Sequence, residues 1–273
     1  MRNLYRAKLL KNKREKPAKE IRLPELEIHG VWKKAINRMS HISRIYWVII
    51  ITAFLVMLLI LMPNNIFIYL WSSIKAQGIL LSMLLVFSLV AVSLIWSTGQ
   101  RIDVWVLMFF NMHGRREPWM DWVMLAFTQI GSGIFALIFA LVLYINVNHI
   151  LAYELALGTL TLWLIVDLMK TLFNRPRPYV KLESVRIVGS RASGHSFPSG
   201  HTSQTFFTTT LVLNYFQVSV WIAIGAYAVA LFVGITRIYV GMHYPRDVIG
   251  GTMLGIAWGF LGFIINNYIW LNG

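Results

Sequence analysis

Seven stretches of this sequence are apolar over much or all of the length a membrane-crossing helix requires: Tyr46–Met62, Gly78–Trp96, Trp122–Ile145, Leu151–Met169, Thr202–Phe216, Val220–Ile235 and Val248–Trp270. A helix needs about 20 apolar residues to traverse a hydrocarbon core about 30 Å thick. It can do so because it satisfies every backbone N–H and C=O internally. At 57% hydrophobic and 13% charged residues, the chain is far from the composition of a soluble domain. The pattern predicts an all-α fold, a polytopic transmembrane helix bundle. Its six-helix core occupies 78–273, an additional hydrophobic helix and linker occupy 46–77, and a basic arm occupies 1–45. Pro63-Asn64-Asn65 closes the first run early and Ile66–Trp71 follows it, so crossing by 46–71 stays open at this level.

The arm carries 13 Lys+Arg against 4 Glu, which is +9 of the chain's net +14, and these charges precede any apolar run. That order excludes a secretory signal peptide. A basic segment beside a membrane span is expected to meet anionic lipid headgroups rather than nucleic acid. With no cysteine, disulfides and thiolate chemistry are excluded.

Charges are expensive at membrane depth, so where they gather is informative. Outside the arm there are 12 Lys+Arg, and 11 of them fall in Ser97–Met120, Lys170–Gly200 or Thr236–Asp247. If the helices alternate in direction, these three connections share one face. The opposite connections, Asn146–Ile150 and Gln217–Ser219, hold neither Lys nor Arg.

Three motifs lie on that face. In KTLFNRPRP, Lys170 ends an apolar helix that contains Asp167, and Pro176 and Pro178 stop the helix around Arg177. In FPSGH, the Ser199-Gly200 pair precedes a helix, whose free N–H groups and positive dipole end suit an anion; His201 follows in the first turn. In TRIYVGMHYPRD, Arg237 ends one helix, His243 sits in a short link, and Pro245 and Asp247 open the last helix. Asp247 is near enough in sequence to bond a ring nitrogen of His243 and set its tautomer. Each motif alone has a plain structural explanation: a basic helix stop, an N-cap at Ser199, an acidic cap at Asp247. Together they place Lys170, Arg177, Arg237, two helix-start amides and two histidines on one surface, a set suited to a tetrahedral dianion such as phosphate.

In order and spacing these residues resemble the type 2 phosphatidic acid phosphatase superfamily. The pattern reads Lys170-TLFNRP-Arg177-Pro178, Pro198-Ser199-Gly200-His201 and Thr236-Arg237-IYVGM-His243-YPR-Asp247. Thr236 replaces the family's serine and keeps its hydroxyl. The likeness extends from about Asp103 to the C-terminus, with QRID and FTQIGSG as lead-in, and does not reach residues 1–77. The resemblance implies that His243 attacks phosphorus, oriented by Asp247, and forms a phosphohistidine. It implies that His201 protonates the leaving oxygen and later helps activate water. Lys170, Arg177, Arg237 and the Ser199-Gly200 amides would bind the phosphoryl oxygens, with no metal and no cofactor. The substrate class it implies is an amphiphilic phosphomonoester or diphosphate: phosphatidic acid, phosphatidylglycerophosphate, a polyprenyl diphosphate or a lipid A phosphate.

The family usually works on the extracytoplasmic face, whereas seven spans and the Lys+Arg distribution point to the cytoplasm. A lipid phosphotransferase using the same intermediate, and a non-catalytic lipid binder or transporter, are the alternative functions. Arg191 and His195 are expected in a solvated loop; Trp119, Tyr179 and Tyr239 are expected as interfacial aromatics.

Overall fold

In the computed structural model the described residues are 78–112 and 118–272, together with scattered positions between 57 and 72. The predicted arm at 1–45 and most of the segment at 46–77 lie outside them. The described helices are α1 (Gly78–Ser93), α2 (Ser97–Met112), α3 (Pro118–Gln129), α4 (Gly133–Asn146), α5 (His149–Phe173), α6 (Pro178–Lys181), α7 (Gly200–Phe216), α8 (Val220–Tyr239) and α9 (Pro245–Asn272).

Three predicted spans become helices long and apolar enough to cross a membrane, each longer than its apolar run: α5, α8 and α9. The run Leu151–Met169 extends to 25 residues in α5, because Asn148 caps the start, its side chain accepting from the Ile150 and Leu151 N–H groups. At the other end Asn174 takes a left-handed conformation (φ 46°), a conformation asparagine tolerates, just before the two prolines. The run Gly78–Trp96 is one helix that ends at Ser93; the chain then bends by 98° into α2, so the expected connection Ser97–Met120 is itself helical over Ser97–Met112. The run Trp122–Ile145 is divided, α3 meeting α4 at 55° through Ile130–Ser132. The division falls there because Ser132 caps a new helix, accepting from the Phe135 N–H.

The bundle closes on the α7–α9 pair. Gly251, Gly255 and Gly259 recur every four residues and form a stripe without side chains on α9. A methyl group at Gly255 would lie 2.3 Å from the Ser203 carbonyl oxygen, and one at Gly251 would lie 2.7 Å from that of Ser199. The backbones can therefore touch as they do in close-packed membrane helices. The core beside them holds Leu151, Leu155, Leu162, Val166, Phe207, Leu211 and Leu254. Leu160, Trp163, Leu164, Ile138 and Trp221 are exposed on the outer surface, as a lipid-facing surface requires.

The end where α5 and α8 finish and α7 and α9 begin carries the polar loops. Asn111 of α2 holds them together, its amide donating to the Arg186 and Tyr239 carbonyls at 2.8 and 2.7 Å and accepting from the Arg186 N–H at 2.8 Å.

Candidate active site

His243 lies in the link between α8 and α9, with only 3% of its surface exposed. Gly241, at φ 79°, makes the turn that brings it there. Its Nδ1 is 2.8 Å from the Ser196 carbonyl oxygen. A carbonyl only accepts, so Nδ1 carries the hydrogen and Nε2 keeps its lone pair. Nε2 faces Arg177 Nη1 at 3.3 Å. Burial, opposed by Asp247 and reinforced by the Arg177 and Arg237 charges, pushes the ring down to about 3. The imidazole is thus neutral near pH 7 and presents an unprotonated nitrogen to the cationic cluster.

Asp247 does not bond the ring directly. Its Oδ2 is 3.7 Å from His243 Nδ1, too long for a hydrogen bond. That oxygen accepts instead from the Ser196 hydroxyl and from the Tyr244 N–H at 2.7 Å, the latter closing the first turn of α9. Ser196, wholly buried, therefore stands between carboxylate and imidazole: its side chain holds Asp247 while its carbonyl holds His243.

The second Asp247 oxygen is held by Arg175 Nη1 at 2.6 Å. Arg175 also binds Asp103 of α2, which in turn accepts from Arg246 Nε at 2.7 Å. Sequence reasoning missed this chain of buried charges. Its one legible signal was Asp103, an acid inside the QRID stretch, but the partners lie 72 and 143 residues away.

Lys170, Arg177 and Arg237 behave differently from Arg175, Arg186 and Arg246. Among the described residues none of the first three forms an ion pair with a carboxylate, whereas the other three do. Arg177 donates to the Gly194, Ser193 and Met242 carbonyls at 3.0–3.2 Å and to His243 Nε2 at 3.3 Å. Arg237 Nη1 donates to Thr128 at 2.7 Å, and its buried Nε has no partner among the described residues. A methyl group at Gly200 would lie 3.8 Å from Lys170 Nζ. His201 lies within electrostatic reach of Arg237, Lys170, Arg177 and the neutral His243, so all five groups form one cluster. Gly131, in the break between α3 and α4, presses on His201: a methyl group there would lie 2.6 Å from the His201 carbonyl oxygen. Thr128 and Gly131 are the structural content of the FTQIGSG stretch.

The helix-start amides differ from the expectation by one residue. Ser199 N–H donates to the Asp247 carbonyl at 2.9 Å, and the Ser199 hydroxyl pairs with that of Thr202 at 2.9 Å instead of capping an amide. The first intrahelical bond is from Ser203 N–H to the Ser199 carbonyl, so the first-turn N–H groups with no intrahelical acceptor are those of Gly200, His201 and Thr202. Unpaired cations, free amides and two imidazoles make a cradle for a tetrahedral anion. Among the described residues no group of three or more His, Asp or Glu side chains is placed to hold a metal.

Tyr239 is not an interfacial aromatic: it is 1% exposed, and its hydroxyl donates to Asp121 at 2.7 Å. Tyr179 braces the loop, donating to the Ala192 carbonyl, with Arg191 over its ring at 6.0 Å. Trp119 is exposed.

A family model described as the PAP2 superfamily matches residues 149–271. The lipid A 4'-phosphatase of Bacteroides thetaiotaomicron is 32% identical over 181 residues, 60% of this chain and 76% of that protein. Phosphatidylglycerophosphatase B of Bacillus subtilis is 31% identical over 163 residues, 54% and 75% of the two chains. The crystal structure of a transmembrane PAP2-type phosphatidylglycerolphosphate phosphatase from Bacillus subtilis superposes with a TM-score of 0.59 at 25% identity. It covers 70% of this chain and 96% of that one.

Proposed function

We propose that this chain, which belongs to the PAP2 superfamily and is a membrane lipid phosphatase of that type, removes phosphate from a phosphomonoester or diphosphate lipid headgroup through a phosphohistidine on His243. The observation that carries the reading is the His243 ring: neutral, unprotonated at Nε2, and aimed into the unpaired cations. Nε2 attacks phosphorus, and the phosphorus–oxygen bond to the lipid breaks. His201, protonated as the phosphate dianion enters among the cations, passes that proton to the leaving oxygen. In the second step water attacks phosphorus, His201 takes a proton from that water, the phosphorus–nitrogen bond breaks with its electron pair returning to Nε2, and inorganic phosphate leaves. Lys170, Arg177, Arg237 and the Gly200 and His201 amides neutralise the phosphoryl oxygens, where charge spreads in a loose transition state. Dividing the displacement in two spares a single water from attacking a dianion. Asp247 is a positioning residue acting through Ser196.

The relatives act, by name, on lipid A and phosphatidylglycerophosphate, and others similar to this chain are undecaprenyl-diphosphatases. The shared chemistry is a phosphate or diphosphate on an amphiphile, presented from the bilayer to a site at its surface. The site is proposed to face the extracytoplasmic side. The test is phosphate release by purified protein in detergent with EDTA, from lipid A, phosphatidic acid, phosphatidylglycerophosphate and undecaprenyl diphosphate, beside His243→Ala. Release that survives EDTA and vanishes in the variant is expected. Phosphate recovered only on a second lipid, never free, would make the protein a transferase.

A further inference from the structure

A second pocket lies at the other end of the bundle, between α5 and α9, with a cavity of about 490 Å³. Glu154, Leu157, Thr161, Phe207, Trp258 and Ile265 are among its walls. Glu154 lies 16 residues before Lys170 on the same helix, a rise of about 24 Å at 1.5 Å per residue, so the pocket opens toward the opposite leaflet. Both Glu154 carboxylate oxygens are buried, and among the described residues neither has a hydrogen-bond partner. An unpaired carboxylate in an apolar setting is costly. The mechanism makes no use of it.

The pocket is ordered from polar to apolar along the membrane normal. Glu154 stands five residues from the start of α5, and helical side chains lean toward the N-terminus, which lifts its carboxylate toward the water boundary. Ile265, late in α9, lines the same level. Leu157 and Thr161 follow inward on α5, and Trp258 on α9 donates from Nε1 to the Thr161 hydroxyl at 3.1 Å. Gly158 lets the Phe207 ring close the inner wall, since a methyl group there would lie 2.3 Å from it. An acceptor at the boundary above an apolar slot matches a molecule with a donor head and a hydrocarbon tail.

We propose that this pocket binds a phospholipid with a primary ammonium head from the leaflet opposite the active site, its ammonium donating to Glu154 and one acyl chain lying along Leu157, Phe207 and Trp258. Once paired with an ammonium the Glu154 carboxylate accepts only, so a choline head, which has no N–H, cannot hydrogen-bond to it. A glycerol head brings hydroxyl donors but leaves the lipid with net negative charge against Glu154.

The test uses the full chain in nanodiscs and reads quenching of Trp258 fluorescence, taken as the difference from Trp258→Phe. The probes are phosphatidylethanolamine, phosphatidylcholine and phosphatidylglycerol with brominated acyl chains. Wild type is expected to prefer the ethanolamine lipid over the other two by at least fivefold. Glu154→Gln should abolish that preference, and Glu154→Asp should retain part of it. Thermal melting and phosphate release, which do not depend on this pocket, establish that each variant is folded. Equal quenching by the three lipids in wild type, or an unchanged preference in a folded Glu154→Gln, overturns the proposal; neither result bears on phosphate release by His243.

Discussion

Replacing Ser196 by alanine separates two ways of orienting the nucleophile. The backbone carbonyl that accepts from His243 Nδ1 remains, as does the Tyr244 N–H that binds Asp247. What is lost is one buried hydrogen bond from the Ser196 hydroxyl to an ionised carboxylate. Such a bond contributes about 1.5–3 kcal/mol. If it serves to hold the carbonyl against the ring, its loss appears as a drop of about 10- to 150-fold in kcat, at about 1.4 kcal/mol per factor of ten. The assay is phosphate release in detergent for wild type, Ser196→Ala, Asp247→Asn and the double variant, with melting curves to correct for folded fraction. Because Asp247 is placed to act through Ser196, the double variant should be little worse than the poorer single one. A direct contact between Asp247 and His243 would instead leave Ser196→Ala within threefold of wild type, or make the two effects additive. Either outcome would refute the indirect arrangement.

Three further predictions concern the same end of the bundle. The unfolded His243 ring takes a proton below about 6.5, while the folded ring resists it down to about 3. Its contribution to stability is therefore intact above pH 6.5 and is lost as pH falls toward 3. The His243 nitrogen shifts in labelled protein should report a neutral, Nδ1-protonated ring throughout pH 8 to 5, and His243→Gln should flatten the acid side of the melting profile. Arg175→Met should cost about 3–5 kcal/mol in unfolding, because it leaves the buried Asp247 charge with only its serine and amide partners. Arg175→Lys should recover little of this, since an ammonium cannot fork between Asp103 and Asp247. The chain has no cysteine, so Ser190→Cys, exposed in the loop over the site, gives a single label. A membrane-impermeant maleimide should modify it from the extracytoplasmic side of intact cells, and protection there would place the site in the cytoplasm.

Much of the architecture follows from local sequence alone. Apolar length sets where α5, α8 and α9 can cross a bilayer, and the Asn148 cap, the Asn174 turn and Pro245 trim their ends within a few residues of the runs that announce them. The motif spacings likewise place Lys170, His201, Arg237 and His243 at helix ends, and helix ends in a bundle meet at its surfaces. The gathering of these residues on one face was therefore legible. Local sequence does not encode how each polar group is partnered. Lys170, Arg177 and Arg237 look no different in composition from Arg175, Arg186 and Arg246, yet among the described residues only the latter three are paired with carboxylates. That division depends on Asp103 and Asp121 arriving from helices remote in the chain. The same holds for the Ser199 amide, which the Asp247 carbonyl occupies because Gly251 and Gly255 bring α9 against α7. Periodicity and spacing act over a few turns of helix and so determine the spans and the residues at their ends. The choice of which charges stay free for a substrate rests on contacts across tens to more than a hundred residues, which only tertiary packing makes.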